Sequence, residues 1–209
     1  SYYYMYENPT KQFNGNLNMT TIALRTLFEN GKAENGYASK AFDQFRKNQQ
    51  IIASRIEEKY RNVTYPTQNT SSGSWPTGVF DPQQTPVNVN SADVLIPAFL
   101  AAYTGKSAAN SPLDLFPSLM SILPNWTISY EGLIQIPIFQ KYFKSFILDH
   151  GYKCNYSIGS YTSFPNWMEA EDGIGFISNQ ITGSIEPSSA YNITTVGLTE
   201  GFDPLFKIT

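Results

Sequence analysis

The chain has 209 residues with 14 Lys and Arg against 17 Asp and Glu, a formal net charge of −3, which removes the electrostatic basis for binding nucleic acid. Charged residues make up 15% of the chain and hydrophobic residues 41%, a lower charge content than soluble domains usually carry. Mean hydropathy is nevertheless −0.29, and no apolar run approaches the ~20 residues of a membrane-spanning helix, so the sequence argues against a helical membrane protein.

Tyr, Phe, Ser, Thr, Asn and Gly fill the gap left by charge. That mixture suits a β-wall with lipid on one side and water on the other, although secreted β-proteins share it. The opening SYYYMYENPT has neither an initiator Met nor a basic stretch leading into an apolar one, and reads as a mature protein or an internal piece of a longer one.

In chain order, residues 13–28 alternate loosely and predict a first long strand, with Leu17, Met19 and Thr21 opposite Asn18, Thr20 and Ile22. Its end is apolar on both faces, so a helix from Thr21 is the alternative. Ser39 is placed to cap a helix over 40–61 whose Phe42, Phe45, Ile52, Ile56 and Tyr60 lie near one face. Asp43, Lys47, Gln50, Glu57 and Arg61 fill the other, so the helix belongs on a surface. Residues 64–90, rich in Pro, Thr, Ser, Asn and Gln, predict an extended loop held by Trp75, Val79 and Phe80. Ser91 is placed to cap a short apolar helix over 92–103 that Gly105 ends.

From Trp126 the pattern becomes strands with short connections. Trp126, Ile128 and Tyr130 alternate with Thr127, Ser129 and Glu131, and residues 134–144, with Phe139, Tyr142, Phe143, Lys141 and Lys144, read as an interfacial turn. Residues 146–161 carry the clearest pattern. Phe146, Leu148, His150, Tyr152, Cys154, Tyr156 and Ile158 form an apolar row, and Asp149, Gly151, Lys153, Asn155, Ser157 and Gly159 a polar one. Pro165, Glu169, Glu171 and Asp172 predict a solvated loop. Strands are expected over 174–185 and 191–198, and a last one from Leu205. The fold class is therefore mainly β, an antiparallel meander with a long, partly helical insertion between strands. Its regions are strand at 1–28, an inserted cap at 29–123, and strands with short turns at 124–209.

No stretch amounts to a catalytic constellation, and neither cofactor nor metal is expected. Tyr103-Thr104-Gly105-Lys106-Ser107 is similar to the tail of a phosphate-binding loop, but the required earlier Gly is Leu100. Cys154 reads as a small buried apolar group and His150 as structural. Six glycosylation sequons, at Asn18, Asn62, Asn69, Asn125, Asn155 and Asn192, follow from the Asn/Thr/Ser-rich composition, since several fall within predicted strands.

Several phrases resemble the SprA/Sov family, the giant outer-membrane translocon of the type IX secretion system of Bacteroidetes, named also in gliding motility. They are Phe42-Asp43-Gln44-Phe45 with Asn48 and Ile52, the run at 96–106 (IPAFLAAYTGK), and Leu123-Pro124-Asn125-Trp126 with Tyr130-Glu131-Gly132-Leu133. Lys141-Tyr142-Phe143, the run at 156–163 (YSIGSYTS) and Phe202-Asp203-Pro204-Leu205 follow in order, covering about residues 40–209.

The resemblance implies that the meander is part of a very large transmembrane β-barrel passing folded cargo to the cell surface. Expected partners are other barrel segments of the same protein, plug and partner-barrel proteins, secreted cargo and membrane lipid. On that reading Asp149, Lys153, Asn155 and Ser157 face the lumen, and Trp126, Tyr130, Phe146, Leu148, Tyr152 and Tyr156 face lipid or its interface. The insertion would lie over or beside the pore. Two rivals are a secreted carbohydrate-binding or adhesion domain using Trp75, Trp126 and Trp167, and an enzyme with an acidic pair at Glu131 and Glu171.

Overall fold

A computed structural model describes residues 14–24, 33–36, 39–66, 69–70, 73–74, 76–116, 123–171, 173–179 and 183–209. In chain order these form β1 (Asn14–Thr20), α1 (Lys40–Tyr60), the two-residue strands β2 (Asn69–Thr70) and β3 (Gly73–Ser74), α2 (Ala92–Tyr103), β4 (Trp126–Tyr130) and the single turn α3 (Pro137–Gln140). There follow β5 (Leu148–Ser163), β6 (Met168–Glu171), β7 (Ile174–Ser178), β8 (Ile185–Pro187), β9 (Tyr191–Phe202) and β10 (Lys207–Ile208). The chain is mainly β, with antiparallel sheets and few helices.

The 16-residue β5 is the spine. Along one flank β9 pairs from Ser163↔Tyr191 to Tyr152↔Phe202, and β10 takes over opposite Asp149 and Leu148. Along the other flank β1 pairs from Asn14↔Thr162 to Thr20↔Asn155, and β4 continues from Trp126↔Tyr152 to Tyr130↔Leu148. Thus β1 and β4 are two halves of one strand line, and everything between Thr21 and Asn125 is an excursion from its middle. Among the described residues no strand pairs with the far edge of β1, β4, β9 or β10, and the sheet does not close.

The first strand is shorter than its sequence pattern. The Thr21 amide makes a last bond to the Cys154 carbonyl at 3.2 Å, and Leu24 then adopts φ 52° as the backbone leaves the sheet. Residues 25–28, the rest of the predicted strand, lie outside the described residues, as does Trp75.

The predicted acidic loop also differs. Met168 to Glu171 pairs with β7, and β7 with β8, as a second, three-stranded sheet. The Glu169 carboxylate accepts the Gly173 amide at 2.8 Å, and Gly173 takes φ 76°, so the acidic residues build a tight hairpin. The strand expected over 174–185 stops at Ser178, because the Asn179 and Gly183 backbones close a turn before β8. The last long strand runs four residues beyond its predicted end, to Phe202.

Helix boundaries follow the sequence closely. The Ser39 hydroxyl accepts the Phe42 amide at 3.3 Å and caps α1, which buries Ala41, Asn48, Ile52, Ala53, Ile56 and Tyr60. Phe42 stays half exposed. The apolar α2 is covered on two sides, as its composition requires. Val94, Ala98 and Ala101 pack on Ile52, Ala53 and Ile56 in a core that extends to Phe80 and Phe176, while Ile96 packs on the main sheet. Ser91 precedes α2, but its hydroxyl makes no capping bond. A polar pin joins the helices: the buried Asn48 donates to the Ala98 carbonyl at 3.2 Å and accepts from Gln44 at 2.8 Å.

Candidate functional site

The main sheet has two faces of opposite chemistry, set by the period-two pattern of its strands. On the open face Lys153, Asn155 and Gly159 of β5 are exposed and Ser157 partly so, with Asn14, Asn16 and Asn18 of β1 exposed beside them. Gly201, Thr199 and Gly197 of β9 sit opposite Lys153, Asn155 and Ser157. The surface is made of small polar groups, apart from Lys153, whose ammonium is paired to the exposed Asp203 carboxylate. Asp149 is partly buried and accepts the Ser129 hydroxyl.

The opposite face is divided along its length. Over the β1 half, Tyr156 and Ile158 are buried with Met19 and Ile193 beneath Ile96 of α2 and Leu115. Tyr152 and Cys154 are buried with Ala23 beneath the strap that leaves β1. The expectation that Tyr152 and Tyr156 face lipid is therefore corrected: protein atoms of the insertion cover them, leaving 0% and 1% of their surface exposed. Phe146 is likewise buried, against Phe139 and Phe143 of the turn before β5. The physical reason is that alternation specifies a dry face without specifying what keeps it dry.

Over the β4 half the same row is open. Ile128 is 56% and Tyr130 52% exposed, next to Phe206 at 67% and Ile208 at 63%. Trp126 and Leu148 are partly buried, Trp126 stacking on Tyr152 with ring centroids 4.5 Å apart. Ile138, Tyr142 and Phe143 of the 132–146 turn are also exposed.

A hydrogen-bonded knot marks the boundary between the halves. The Tyr152 hydroxyl accepts the Ala23 amide at 3.0 Å and the Leu24 amide at 3.3 Å, and donates to Glu200 at 3.1 Å. Glu200 also accepts the Leu24 amide at 2.8 Å. The Asn125 side chain, at the insertion's other end, accepts the Cys154 amide at 2.8 Å. Both ends of the 21–125 excursion are thus tied to the middle of the sheet. Sequence reasoning missed Glu200 and Asn125, since nothing local in sequence signals their partners.

His150 has a structural position: its Nδ1 donates to the Leu205 carbonyl at 2.7 Å, and its ring lies among Trp126, Phe202 and Phe206. Among the described residues no three His, Cys, Asp or Glu side chains converge as metal ligands. Glu131 follows β4 and Glu171 ends β6, in different sheets, and Trp126 and Trp167 are likewise separated. Trp167 lines a cavity of about 490 Å³ with Tyr60, Asp93 and Tyr191. Two of its polar groups are engaged: the indole donates to the Ser188 carbonyl at 2.9 Å, and Asp93 accepts the Ser189 amide at 3.1 Å. Burial raises the Asp93 carboxyl above its ordinary value and pushes the Tyr60 phenol up to about 12.

No protein-family model and no curated protein matches the chain. Some of the residues that carry the family resemblance are adjacent in space. Gln44 and Asn48 meet Ala98, Phe45 packs edge-on to Phe99 at 6.4 Å, and the 156–163 run lies under α2.

Proposed function

We propose that this chain is a segment of the wall of a very large outer-membrane β-barrel that conducts folded proteins to the cell surface of a bacterium, as the resemblance to the SprA/Sov translocons suggests. The observation that carries the reading is the open sheet: β5 is partnered along both flanks, and among the described residues its partners present long outer edges with no strand beside them. Such edges recruit further strands, and in a membrane they must. Neighbouring strands of the same protein are the natural occupants.

The two faces then have addresses. The Asn, Ser, Thr and Gly surface lines the lumen, where it offers cargo no apolar grip and little fixed charge beyond Asp149 and the Lys153–Asp203 ion pair. The skirt around Ile128, Tyr130, Phe206 and Ile208 meets lipid. The insertion shares the skirt's side of the sheet, so it clads the outside of the wall beyond the bilayer. Transport follows from this geometry, and no residue need act on a bond. The expected partners are neighbouring wall segments, gate-covering proteins, cargo and lipid.

The test is solubility. Residues 1–209, expressed alone, are expected to aggregate in plain buffer and to disperse in detergent. A monodisperse monomer that unfolds cooperatively without detergent overturns the wall reading.

A further inference from the structure

The connection from β4 to β5, residues 131–147, is internally bonded. Around α3 the amides of Phe139, Gln140, Lys141, Tyr142 and Phe143 all donate to the carbonyls of Ile136, Pro137 or Phe139, at 2.8 to 3.3 Å. The rings of Phe139 and Phe143 close on the buried Phe146, with centroids 4.9 and 5.5 Å away, and so tie the turn to the start of β5. Tyr130, at the end of β4, lays its ring over Gly132.

The same turn directs apolar side chains outward. Ile138 is 65% and Tyr142 69% exposed, one helical turn apart, and Ile136 and Phe143 are exposed beside them in sequence. Lys141 and Lys144 are exposed too. The Lys141 ammonium lies 5.5 Å from the Tyr142 ring centroid, and among the described residues neither lysine makes an ion pair. No Asp or Glu occurs between Glu131 and Asp149.

Water alone suits this surface poorly, since its largest exposed groups are apolar. A bilayer interface suits each part of it. Aromatic rings settle at headgroup level, and lysine stems lie along apolar surface while the ammonium reaches the phosphates. Backbone amides near hydrocarbon need partners, and those of 139–143 have them within the turn. Charge then selects the lipid. The whole chain carries −3, so an anionic membrane repels it on average and any preference for anionic lipid has a local source.

We infer that residues 136–144 form a lipid-headgroup site: Ile138 and Tyr142 enter the bilayer interface, and Lys141 and Lys144 hold the phosphate of an anionic lipid. The inference rests on the wall reading for the presence of a bilayer at this end of the sheet, and adds which lipid is selected and by which residues.

The full chain, refolded into phosphatidylcholine vesicles, carries a fluorophore at Gln140→Cys in a Cys154→Ala background. Its quenching by spin-labelled phosphatidylglycerol is compared with that by spin-labelled phosphatidylcholine. With both lysines present, the anionic lipid is expected to be preferred about tenfold at low salt, and less at high salt. Lys141→Gln with Lys144→Gln brings the preference close to unity. The proposal is overturned if the lysine-bearing chain shows no preference, if the double substitution retains it, or if neither lipid quenches, the result expected when another protein covers the turn. Alkaline carbonate extraction tests the wall separately. A chain that is extracted yet shows the preference keeps the headgroup site and loses the wall, whereas one that is retained without it keeps the wall and loses the site.

Discussion

Tyr152 and Tyr156 are four residues apart on the same row, both buried, and differ in their hydrogen bonding. The Tyr152 hydroxyl makes three hydrogen bonds, and the Tyr156 hydroxyl makes none. Replacing each with Phe therefore isolates the value of the knot that ties the insertion to the sheet. In Tyr152→Phe the Ala23 amide loses its bond while remaining buried, whereas the Leu24 amide keeps Glu200 at 2.8 Å. One stranded buried donor costs ~1–3 kcal/mol, so ~2 kcal/mol is the expected loss. For a chain of this size that corresponds to a fall in Tm of about 4–8 °C. Tyr156→Phe, which strands nothing, is expected to leave Tm unchanged or raise it. Thermal unfolding in amphipol reads both, and hydrogen exchange adds a local measure. If the strap opens locally, ~2 kcal/mol is about a 30-fold faster exchange at Ala23 in Tyr152→Phe alone. Equal losses from the two substitutions, or none from Tyr152→Phe, would refute the assignment of the anchor to this hydroxyl.

The aromatic cluster behind the helices makes a second prediction. Phe176 is fully buried against Tyr60, Tyr65 and Phe80, with ring centroids 4.9 to 6.0 Å away, and Phe176→Ala is expected to cost ~3–5 kcal/mol in denaturant unfolding. Asp93 sets a pH dependence. Burial raises its folded-state value above the ordinary 3.8. The fold thus binds that proton more tightly than the unfolded chain does, and stability falls as pH rises from about the unfolded value through the folded one. Asp93→Asn keeps an acceptor for the Ser189 amide, and it should gain on the wild type as pH rises across that window in a series of thermal melts. A difference that does not change with pH would contradict this.

What the sequence revealed was local. Ser39 and its helix, the 92–103 helix, the Trp126–Tyr130 strand and the alternation of 148–158 all rest on neighbours within a few residues. The alternation failed near Tyr161 for the same reason. Register slips around Ser160 return Tyr161 to the apolar side, against Phe116 and Tyr191, and a bulge of this kind depends on the partner strand. Asn48, Arg55 and Glu200 were illegible because their partners are distant in sequence. Arg55 donates to the Ala108 and Ser111 carbonyls, both at 2.7 Å, over separations of 53 and 56 residues. Acidic Met168–Glu171 reads as loop until β7 is beside it.

The length of β5 bears on where any bilayer must lie. Sixteen residues at ~3.3 Å each reach ~53 Å, or ~37 Å of height at a 45° tilt, against an apolar band of ~25 Å. A membrane strand of this length therefore needs a portion outside the hydrocarbon, and that portion's apolar row needs another cover. The chain supplies one at the required place. Its excursion leaves the strand line opposite Asn155 and returns opposite Tyr152, and α2 lies over Tyr156 and Ile158 while Ile128 and Tyr130 stay bare. On the proposed wall reading, had the insertion covered the whole row, no part of it would have been left for lipid. Had it covered none, the aromatic row would have projected beyond any bilayer into water.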